Sequence, residues 1–482
     1  MLTVTGLAAS SASAVFEKNF PEALQTDDDQ LAGDGDWDIR YHLGGNSPWI
    51  PKVNGTIEGG FAPPGGCHVD QVHMLARHAE RYPTVNAGIK MLEFYDHLRN
   101  VTLEGDLAFA NEWKFFMSNP EQHLEKLVAV GPYAGTLEAF TTGVKLRTRY
   151  EHLVNEALAN NQTSFWASDS GRVVETAKNF VAGLFGIDWA DLSTLHIVPE
   201  TTGLAGNTLT PGKTCRRYRS KLEPYGRDYG ARMLYEWRGQ YLPPIIERLK
   251  QQNPNVTWSE SEVYSMQELC GFETLAKGSS QWCDVFTHEE WEQFEYARDL
   301  LHYYRSGPGN PFSTTMGMLW LNATANLLHL GPVEAGPLFF SFVHDGDIIP
   351  MLAALDLFPQ RVPLPTDHVL EDRNWRTSDV VPMGGRIIVE RLACNKTWCW
   401  DQREYGYPNH VYCDDPVEEY FVRINVNDGM IPLPRCHNGP GWSCPLDKFL
   451  DMMKARAVVA GDFGRMCGLQ RDAAKGISFL HQ

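Results

Sequence analysis

The chain has 482 residues, of which 43% are hydrophobic, and its formal net charge is −18 at pH 7. This length and composition indicate a globular protein with a large core and about two domains rather than a disordered chain. The acidic charge argues against nucleic acid as a partner. No apolar run beyond the first residues approaches a membrane span, so no membrane partner is expected.

The N-terminal segment is ambiguous. Residues 2–16 are moderately apolar and include Ala12-Ser13-Ala14, a small-residue cleavage pattern, but they lack a basic start. We interpret residues 1–14 as a weak or truncated signal peptide. The Asp34-x-Asp36-x-Asp38 run begins like a calcium loop, yet Ile39 stands where that loop needs glycine, so no metal site is predicted there.

A cluster of basic residues comes after a predicted buried strand at residues 69–76. It reads Arg77-His78-Ala79-Glu80-Arg81-Tyr82-Pro83-Thr84. A helix is predicted after it from the apolar spacing of Ile89, Leu92, Tyr95 and Leu98. Neutral imidazole is a nucleophile, guanidinium matches phosphate oxygens, and ligands bind at such strand ends. The octapeptide alone fits a phosphate site and a set of solvated charges equally well.

Residues 165–185 predict a second strand and helix. The apolar stripe Val173, Ala177, Phe180, Val181 and Leu184 is amphipathic, and Ser170 or Asp169 is the expected N-cap, which places Arg172 in the first helical turn. From about 187 to 300 the chain contains helix-length stretches such as 232–252. We predict a mostly helical cap domain over 187–300, and an α/β domain formed by 15–186 and 301–482.

Within the predicted cap, residues 206–214 resemble a phosphate-binding nucleotide loop, but the glycine spacing is one residue too long, so nucleotide binding has little support. The adjacent basic run is usually a solvated surface; a dibasic cleavage site at Arg216-Arg217 and a basic wall of a substrate pocket are the alternatives. The run comprises Lys213, Arg216, Arg217, Arg219 and Lys221.

The α/β domain resumes with a buried helix predicted at 316–330 and a buried strand at 338–343. That strand leads directly into His344-Asp345, and a helix-like stretch at 351–358 comes next. A carboxyl group beside a histidine is often an ordinary loop pair. Together with His78, however, Asp345 would supply the proton donor that phosphoryl transfer from an alcohol requires.

The C-terminal part predicts an antiparallel pair of strands. Apolar and polar residues alternate at 420–426, Asn427-Asp428-Gly429 predicts a tight turn, and 386–392 is the expected partner strand. The fold class is therefore α/β, with a mixed central sheet flanked by helices on both faces and a second, smaller, mostly helical cap domain.

Cysteines and sequons favour a secreted glycoprotein. The sequence has ten cysteines, an even number, and Asn-x-Ser/Thr sequons at Asn54, Asn100, Asn161, Asn255, Asn322 and Asn395. From spacing alone the disulfide connectivity is open. A zinc site at Cys394-x4-Cys399 is the competing idea, but no second close cysteine or histidine pair supports it.

The two motifs resemble the histidine acid phosphatases, whose signature is Arg-His-Gly-x-Arg-x-Pro near the start and His-Asp near the end. The resemblance extends from about Tyr41 to Cys467 and is closest to secreted yeast acid phosphatases and fungal phytases. It implies that His78 forms a phosphohistidine, that Asp345 is the general acid, and that no cofactor or metal is needed. The implied phosphate-binding residues are Arg77, Arg81, Arg172 and His344.

The resemblance also implies a disulfide pattern. The expected pairs are Cys67 with Cys413, Cys215 with Cys467, Cys270 with Cys283, Cys436 with Cys444, and Cys394 with Cys399. Two positions depart from the family motif, because Ala79 replaces glycine and Gly346 replaces a more familiar asparagine or threonine. We expect an active enzyme despite Ala79, since alanine is the smallest change available.

The substrate is expected to be a small phosphate monoester, and a homo-oligomer is compatible with the sequence. Phytase activity on inositol hexakisphosphate is the first alternative; Glu80, if it lay at the pocket mouth, would repel so charged a substrate and favours the broad phosphatase. The cofactor-dependent phosphoglycerate mutases share the motif core but are cytosolic and need neither cysteines nor sequons. A non-catalytic secreted glycoprotein of the same fold is the remaining alternative.

Overall fold

The computed structural model describes residues 37–53, 55–57, 60–396, 399–401, 411–413 and 417–482. The proposed signal peptide, the aspartates at 34 and 36 and the sequon at Asn54 lie outside the described residues. The side chains of Cys399 and Cys413 also lie outside them, although the backbone there is described. None of the described helices is long and apolar enough to cross a bilayer.

A mixed eight-stranded sheet in the order β10-β8-β5-β1-β4-β2-β3, with β9 paired to β8, forms the centre of the described chain. The strands β1, β4, β2 and β3 run parallel, whereas β5 and β8 continue the sheet antiparallel. The strands β6 and β7 form a separate pair. The bounds are β1 Cys67–Arg77, β2 Ser164–Ser168, β3 Thr194–Val198, β4 Leu338–Val343, β5 Arg386–Lys396, β6 Cys399–Asp401, β7 Val411–Cys413, β8 Val417–Val426, β9 Gly429–Ile431 and β10 Cys444–Pro445.

Helices cover both faces of this sheet. The helices are α1 Val85–Leu98, α2 Pro120–His123, α3 Gly135–Arg149, α4 Glu151–Ala159, α5 Gly171–Phe185, α6 Trp189–Leu192, α7 Pro211–Thr214, α8 Arg216–Arg219, α9 Tyr229–Gln252, α10 Glu260–Lys277, α11 His288–Arg305, α12 Ser313–Ala335, α13 Asp345–Ala354, α14 Thr377–Val380, α15 Leu446–Ala460 and α16 Phe463–Met466. Alternate residues of β1 such as Val72 and Met74 join the core formed with α3, α4 and α5. Leu75 points the other way, towards Met316 and Leu319 of α12, as the two-residue period of a strand requires.

Most predicted elements are present. The turn at Asn427 and Asp428 has φ of 48° and 63°, the conformation of a type I′ hairpin, and it connects β8 to β9. The helix predicted at 316–330 is α12, which breaks at Gly331 because the φ there is 74°. The helix predicted at 351–358 is α13, and it starts earlier and ends at Ala354.

The apolar positions from which the first helix was predicted do not coincide with its buried face, except at Leu98. Ile89 is 46% exposed, and the buried positions of α1 include Met91 and Phe94 instead. The ring of Phe94 lies 5.5 Å from that of Trp282 and 6.4 Å from that of Trp258. Those aromatic residues, more than 160 positions away in the sequence, set the orientation of the helix, and its own apolar spacing could not reveal them.

Three of the five predicted disulfides are confirmed and two are wrong. Cys215 pairs with Cys467, Cys270 with Cys283, and Cys436 with Cys444. Cys67 pairs with Cys394 rather than Cys413, which also excludes the predicted Cys394–Cys399 pair. The reason is strand register, since β1 and β5 are antiparallel neighbours and place Cys67 directly opposite Cys394, with the Cα atoms 4.0 Å apart. Across β6 and β7, the backbone register opposes positions 399 and 413.

The five sequon asparagines that the structure describes are all exposed. They are Asn100, Asn161, Asn255, Asn322 and Asn395.

Residues 39–482 group into one compact unit. The segment 187–300 contains β3, a strand of the central sheet, and is otherwise helical, so a separate cap domain over that range stays a prediction.

Candidate active site

The candidate site forms where neighbouring parallel strands end at one edge of the sheet. His78 comes directly after β1, Arg172 stands in the first turn of α5 after β2, and His344 and Asp345 come directly after β4. Arg77 is directly opposite Val343 in the β1–β4 register, so the two motifs meet although they are more than 260 residues apart in the sequence. The carboxyl edge of parallel strands is the usual ligand site of α/β sheets.

His78 is held as a neutral imidazole with one defined tautomer. Its ring is 1% exposed, and its Nδ1 lies 2.9 Å from the carbonyl oxygen of Ala79. Because a carbonyl only accepts hydrogen bonds, Nδ1 carries the proton and Nε2 keeps its lone pair. Burial and the nearby Arg77, Arg172 and Arg81 hold the pKa of His78 well below its usual value. The ring therefore stays unprotonated, and nucleophilic at Nε2, in acid.

Three guanidiniums surround this ring; those of Arg77 and Arg81 are buried, and that of Arg172 is half-buried. Arg77 is fixed by hydrogen bonds from Nη1 to the carbonyls of Gly45 (2.8 Å) and Val381 (2.7 Å). Burial, followed by Arg172 and Arg77, lowers the pKa of Arg81 to about 9, so it remains charged in acid. Arg81 and Arg172 each keep a buried Nε–H without a partner among the described residues. Mutually repelling buried cations with spare donors are stabilised by a bound anion.

Asp345 stands at the first position of α13 and faces the arginines. Its Oδ1 accepts the N–H of Gly346 at 2.8 Å, and its Oδ2 lies 3.7 Å from Nη2 of Arg77. Burial favours the protonated carboxyl, but the charges of Arg77 and Arg305 outweigh it and hold the pKa of Asp345 well below its usual value. In the free protein this carboxyl is ionised.

His344 is oriented by a residue that the sequence reasoning missed. Its Nε2 lies 2.6 Å from Oε1 of Glu200, and its Nδ1 lies 3.3 Å from Nη2 of Arg172. A carboxylate only accepts, so a neutral His344 donates through Nε2 and accepts from Arg172 through Nδ1. In this neutral state both ring nitrogens of His344 are engaged, so the ring positions Arg172 and has no free N–H for a phosphate. Burial, only partly opposed by Glu200, lowers the pKa of His344.

Glu200 could have been found from the sequence. It lies two residues after β3, at the same sheet edge as the other site residues. Burial opposes its ionisation, but His344 and Lys213 lower its pKa to about 2. Lys213, from the predicted basic run, lies 3.3 Å from Oε2 of Glu200 and is 49% exposed. Other residues of the basic run have other partners; Arg217, for example, pairs with Glu223.

The expectation for Glu80 was wrong. Its side chain is 1% exposed, and its Oε1 accepts the backbone N–H of Trp49 at 2.7 Å, so it does not lie at a pocket mouth. Burial and the neighbouring Glu138 raise the pKa of Glu80 to about 8. In acid the group is a neutral buried carboxylic acid and cannot repel a charged substrate.

The two departures from the family motif fit without strain. Ala79 is fully buried beside Leu127 and Ala139, its N–H donates to Thr176 Oγ1 at 3.0 Å, and it is not among the described residues with positive φ. A Cβ at Gly346 would meet no atom within 4 Å, so this position is tolerant of side chains.

Comparison with known proteins agrees with this arrangement. The family model described as histidine phosphatase superfamily (branch 2) matches residues 68–427. The chain is 31% identical over 475 residues to an acid phosphatase of Komagataella pastoris, covering 97% of this chain and 95% of the relative. It is 30% identical over 457 residues to a phytase of Candida albicans, covering 93% and 91%. The crystal structure of the phytase from D. castellii matches with a TM-score of 0.81 at 29% identity, covering 98% of this chain and 94% of that one.

Proposed function

The chain belongs to branch 2 of the histidine phosphatase superfamily, and on this premise we propose that it is an acid phosphatase that hydrolyses phosphate monoesters through a phosphohistidine at His78. The observation that carries the proposal is a neutral buried histidine, with Nε2 available for attack, among three arginines and close to Asp345.

The reaction divides into two steps. First, Asp345 takes up the proton of the bound monoester; Nε2 of His78 then attacks phosphorus, the bond to the ester oxygen breaks, and Asp345 gives that proton to the departing alcohol. Then water attacks the phosphorus of the phosphohistidine, Asp345 takes a proton from that water, the bond between phosphorus and Nε2 breaks with its electron pair returning to Nε2, and inorganic phosphate leaves. Arg77, Arg81 and Arg172 offset the charge on the phosphoryl oxygens throughout, while His344 holds Arg172 in place.

Trapping the intermediate tests this proposal. Acid substrate turnover quenched in alkali should leave one phosphoryl group per chain, stable in alkali and labile in acid, on the peptide that contains His78. His78→Ala should lose the label and reduce kcat by at least ~10³-fold. His152→Ala is the matched control, because this histidine lies on α4 and bonds the carbonyl of Val69 away from the site. A fully active His78→Ala variant would favour a non-catalytic histidine at this position.

Phytase activity is the second candidate. It is supported by the likeness to the phytases of Candida albicans and D. castellii, and the burial of Glu80 removes the argument that had disfavoured it. Comparing kcat/KM for phytate and for 4-nitrophenyl phosphate between pH 3 and pH 7 separates the two. A hundredfold preference for phytate would establish the second candidate in place of the first.

A further inference from the structure

One buried histidine beside the general acid takes no part in either step of the proposed reaction. His302 lies on α11 and is 2% exposed. Its Nδ1 is 3.9 Å from Oδ2 of Asp345, and neither ring nitrogen has a hydrogen-bond partner among the described residues. A buried polar group left unpaired is destabilising, so a histidine here is expected to gain a partner when the site is occupied.

The surroundings keep this ring neutral. Burial lowers the pKa of His302 to about 3; the nearby Asp345 opposes the shift, and Arg298, Arg305 and Arg77 add to it. A neutral imidazole has one N–H donor and one acceptor nitrogen. The ring also sits against Gly45, where a side-chain Cβ would lie only 3.3 Å from Nε2. Gly45 therefore leaves space for the ring and also anchors Arg77 through its carbonyl.

The two oxygens of Asp345 have different surroundings. Oδ1 is fixed by the N–H of Gly346, whereas Oδ2 faces both Arg77 Nη2 at 3.7 Å and His302 Nδ1 at 3.9 Å. Both of these distances exceed a hydrogen bond, so Oδ2 is the oxygen free to carry the transferable proton. Hydrogen bonds among catalytic groups are often long in the unliganded state and shorten when substrate binds.

We propose that His302 is a positioning residue for the general acid. When a bound phosphate contacts Arg77, the Nδ1–H of His302 donates a hydrogen bond to one lone pair of Oδ2 of Asp345. The transferable proton is bound at the other lone pair of Oδ2 and points towards the leaving oxygen. This inference rests on the proposed function. It assigns His302 to the departure of the alcohol and not to phosphate binding or nucleophilic attack.

Leaving-group dependence tests this assignment, because a poor alkoxide leaving group needs the acid far more than a stabilised phenoxide does. The variants are His302→Leu, which removes both nitrogens, His302→Asn, whose amide nitrogen occupies the place of Nδ1, and His302→Gln, whose amide lies nearer Nε2. We would measure kcat/KM for glycerol 2-phosphate and for 4-nitrophenyl phosphate at pH 4 to 6. His73→Leu is the control, since His73 is also fully buried but stacks on Phe339 away from Asp345.

His302→Leu is expected to lower kcat/KM about 30-fold or more for the alkyl ester and less than about threefold for the aryl ester, within the range that general acids contribute. His302→Asn should recover most of the alkyl activity and His302→Gln should not, and His73→Leu should affect both substrates equally. Equal losses on both substrates, or equal rescue by Gln and Asn, would overturn the inference. If the unaltered enzyme instead forms no phosphohistidine, the proposed function fails on its own ground.

Discussion

Glu80→Gln should make the protein more stable near neutral pH and leave it almost unchanged in acid. The side chain is buried, with Oε1 bonded to the N–H of Trp49 and Oε2 without a partner among the described residues. Glutamine keeps the acceptor for Trp49 and has nearly the same shape. The substitution therefore removes one titration and little else.

The size of the effect depends on the pKa of Glu80, which burial and Glu138 raise from 4.5 to about 8. Below pH 4.5 the carboxyl is protonated in both folded and unfolded chains and affects neither. Between pH 4.5 and 8 the unfolded chain releases a proton that the folded chain retains, so the stability falls as the pH rises. At about 1.4 kcal/mol per pKa unit, the loss at pH 7 is about 3 kcal/mol.

Urea unfolding followed by tryptophan fluorescence at pH 4.5, 5.5, 6.5 and 7.5 measures this difference. The free energy of unfolding of the unaltered protein should fall more steeply with pH than that of Glu80→Gln, and the curves should meet near pH 4.5. Glu93→Gln, at an exposed position of α1, is the control and should run parallel to the unaltered protein. Parallel curves for Glu80→Gln as well would refute a raised pKa at Glu80.

Three further outcomes are expected. Ala79→Gly should lower the free energy of unfolding by about 1–2 kcal/mol, because it removes one buried methyl group and adds entropy to the unfolded chain. It should change kcat less than about threefold. A gain in turnover of orders of magnitude would contradict the unstrained fit of Ala79. Glu200→Gln should lower kcat/KM about tenfold by weakening its bond to His344, whereas Lys213→Met, at a half-exposed partner, should lower it less than threefold. The decline of kcat/KM at high pH should begin at lower pH for an aryl phosphate than for an alkyl phosphate. The same decline for both substrates would indicate that a group of the enzyme titrates rather than the substrate.

The sequence predicted the strand ends of the site well, because parallel strands bring the residues at their carboxyl ends to one edge. The strands before His78 and Asp345 were predicted from their apolar runs, and the family resemblance added Arg172. The same rule applies to Glu200, which was overlooked because the five-residue strand before it was not predicted. The disulfide of Cys67 depended on the register between two strands, which no motif contains.

The surroundings of Glu80 and His302 could not be predicted from the sequence, for a different reason. Glu80 looks like a loop carboxylate, and its burial arises from a contact with Trp49, a residue in a separate segment. His302 lies in the interior of a helix, and only the docking of α11 against the strand ends brings it near Asp345. Periodicity indicates which side of a helix is buried but not which distant group that side meets.

The acid preference of the reaction and that of the fold have separate origins. Asp345 is ionised in the free protein, yet in the proposed reaction it must hold a proton when the alcohol departs. A phosphate monoester keeps one proton below its second pKa, about 6, and that proton can pass to Asp345 once the arginines offset the phosphate charge. Activity should therefore decline above pH 6 because the substrate loses its proton. Stability should instead fall from about pH 4.5 upward, because the folded chain keeps Glu80 protonated while the unfolded chain does not. Glu80→Gln separates the two, since it should flatten the stability curve and leave the alkaline limb of kcat/KM in place.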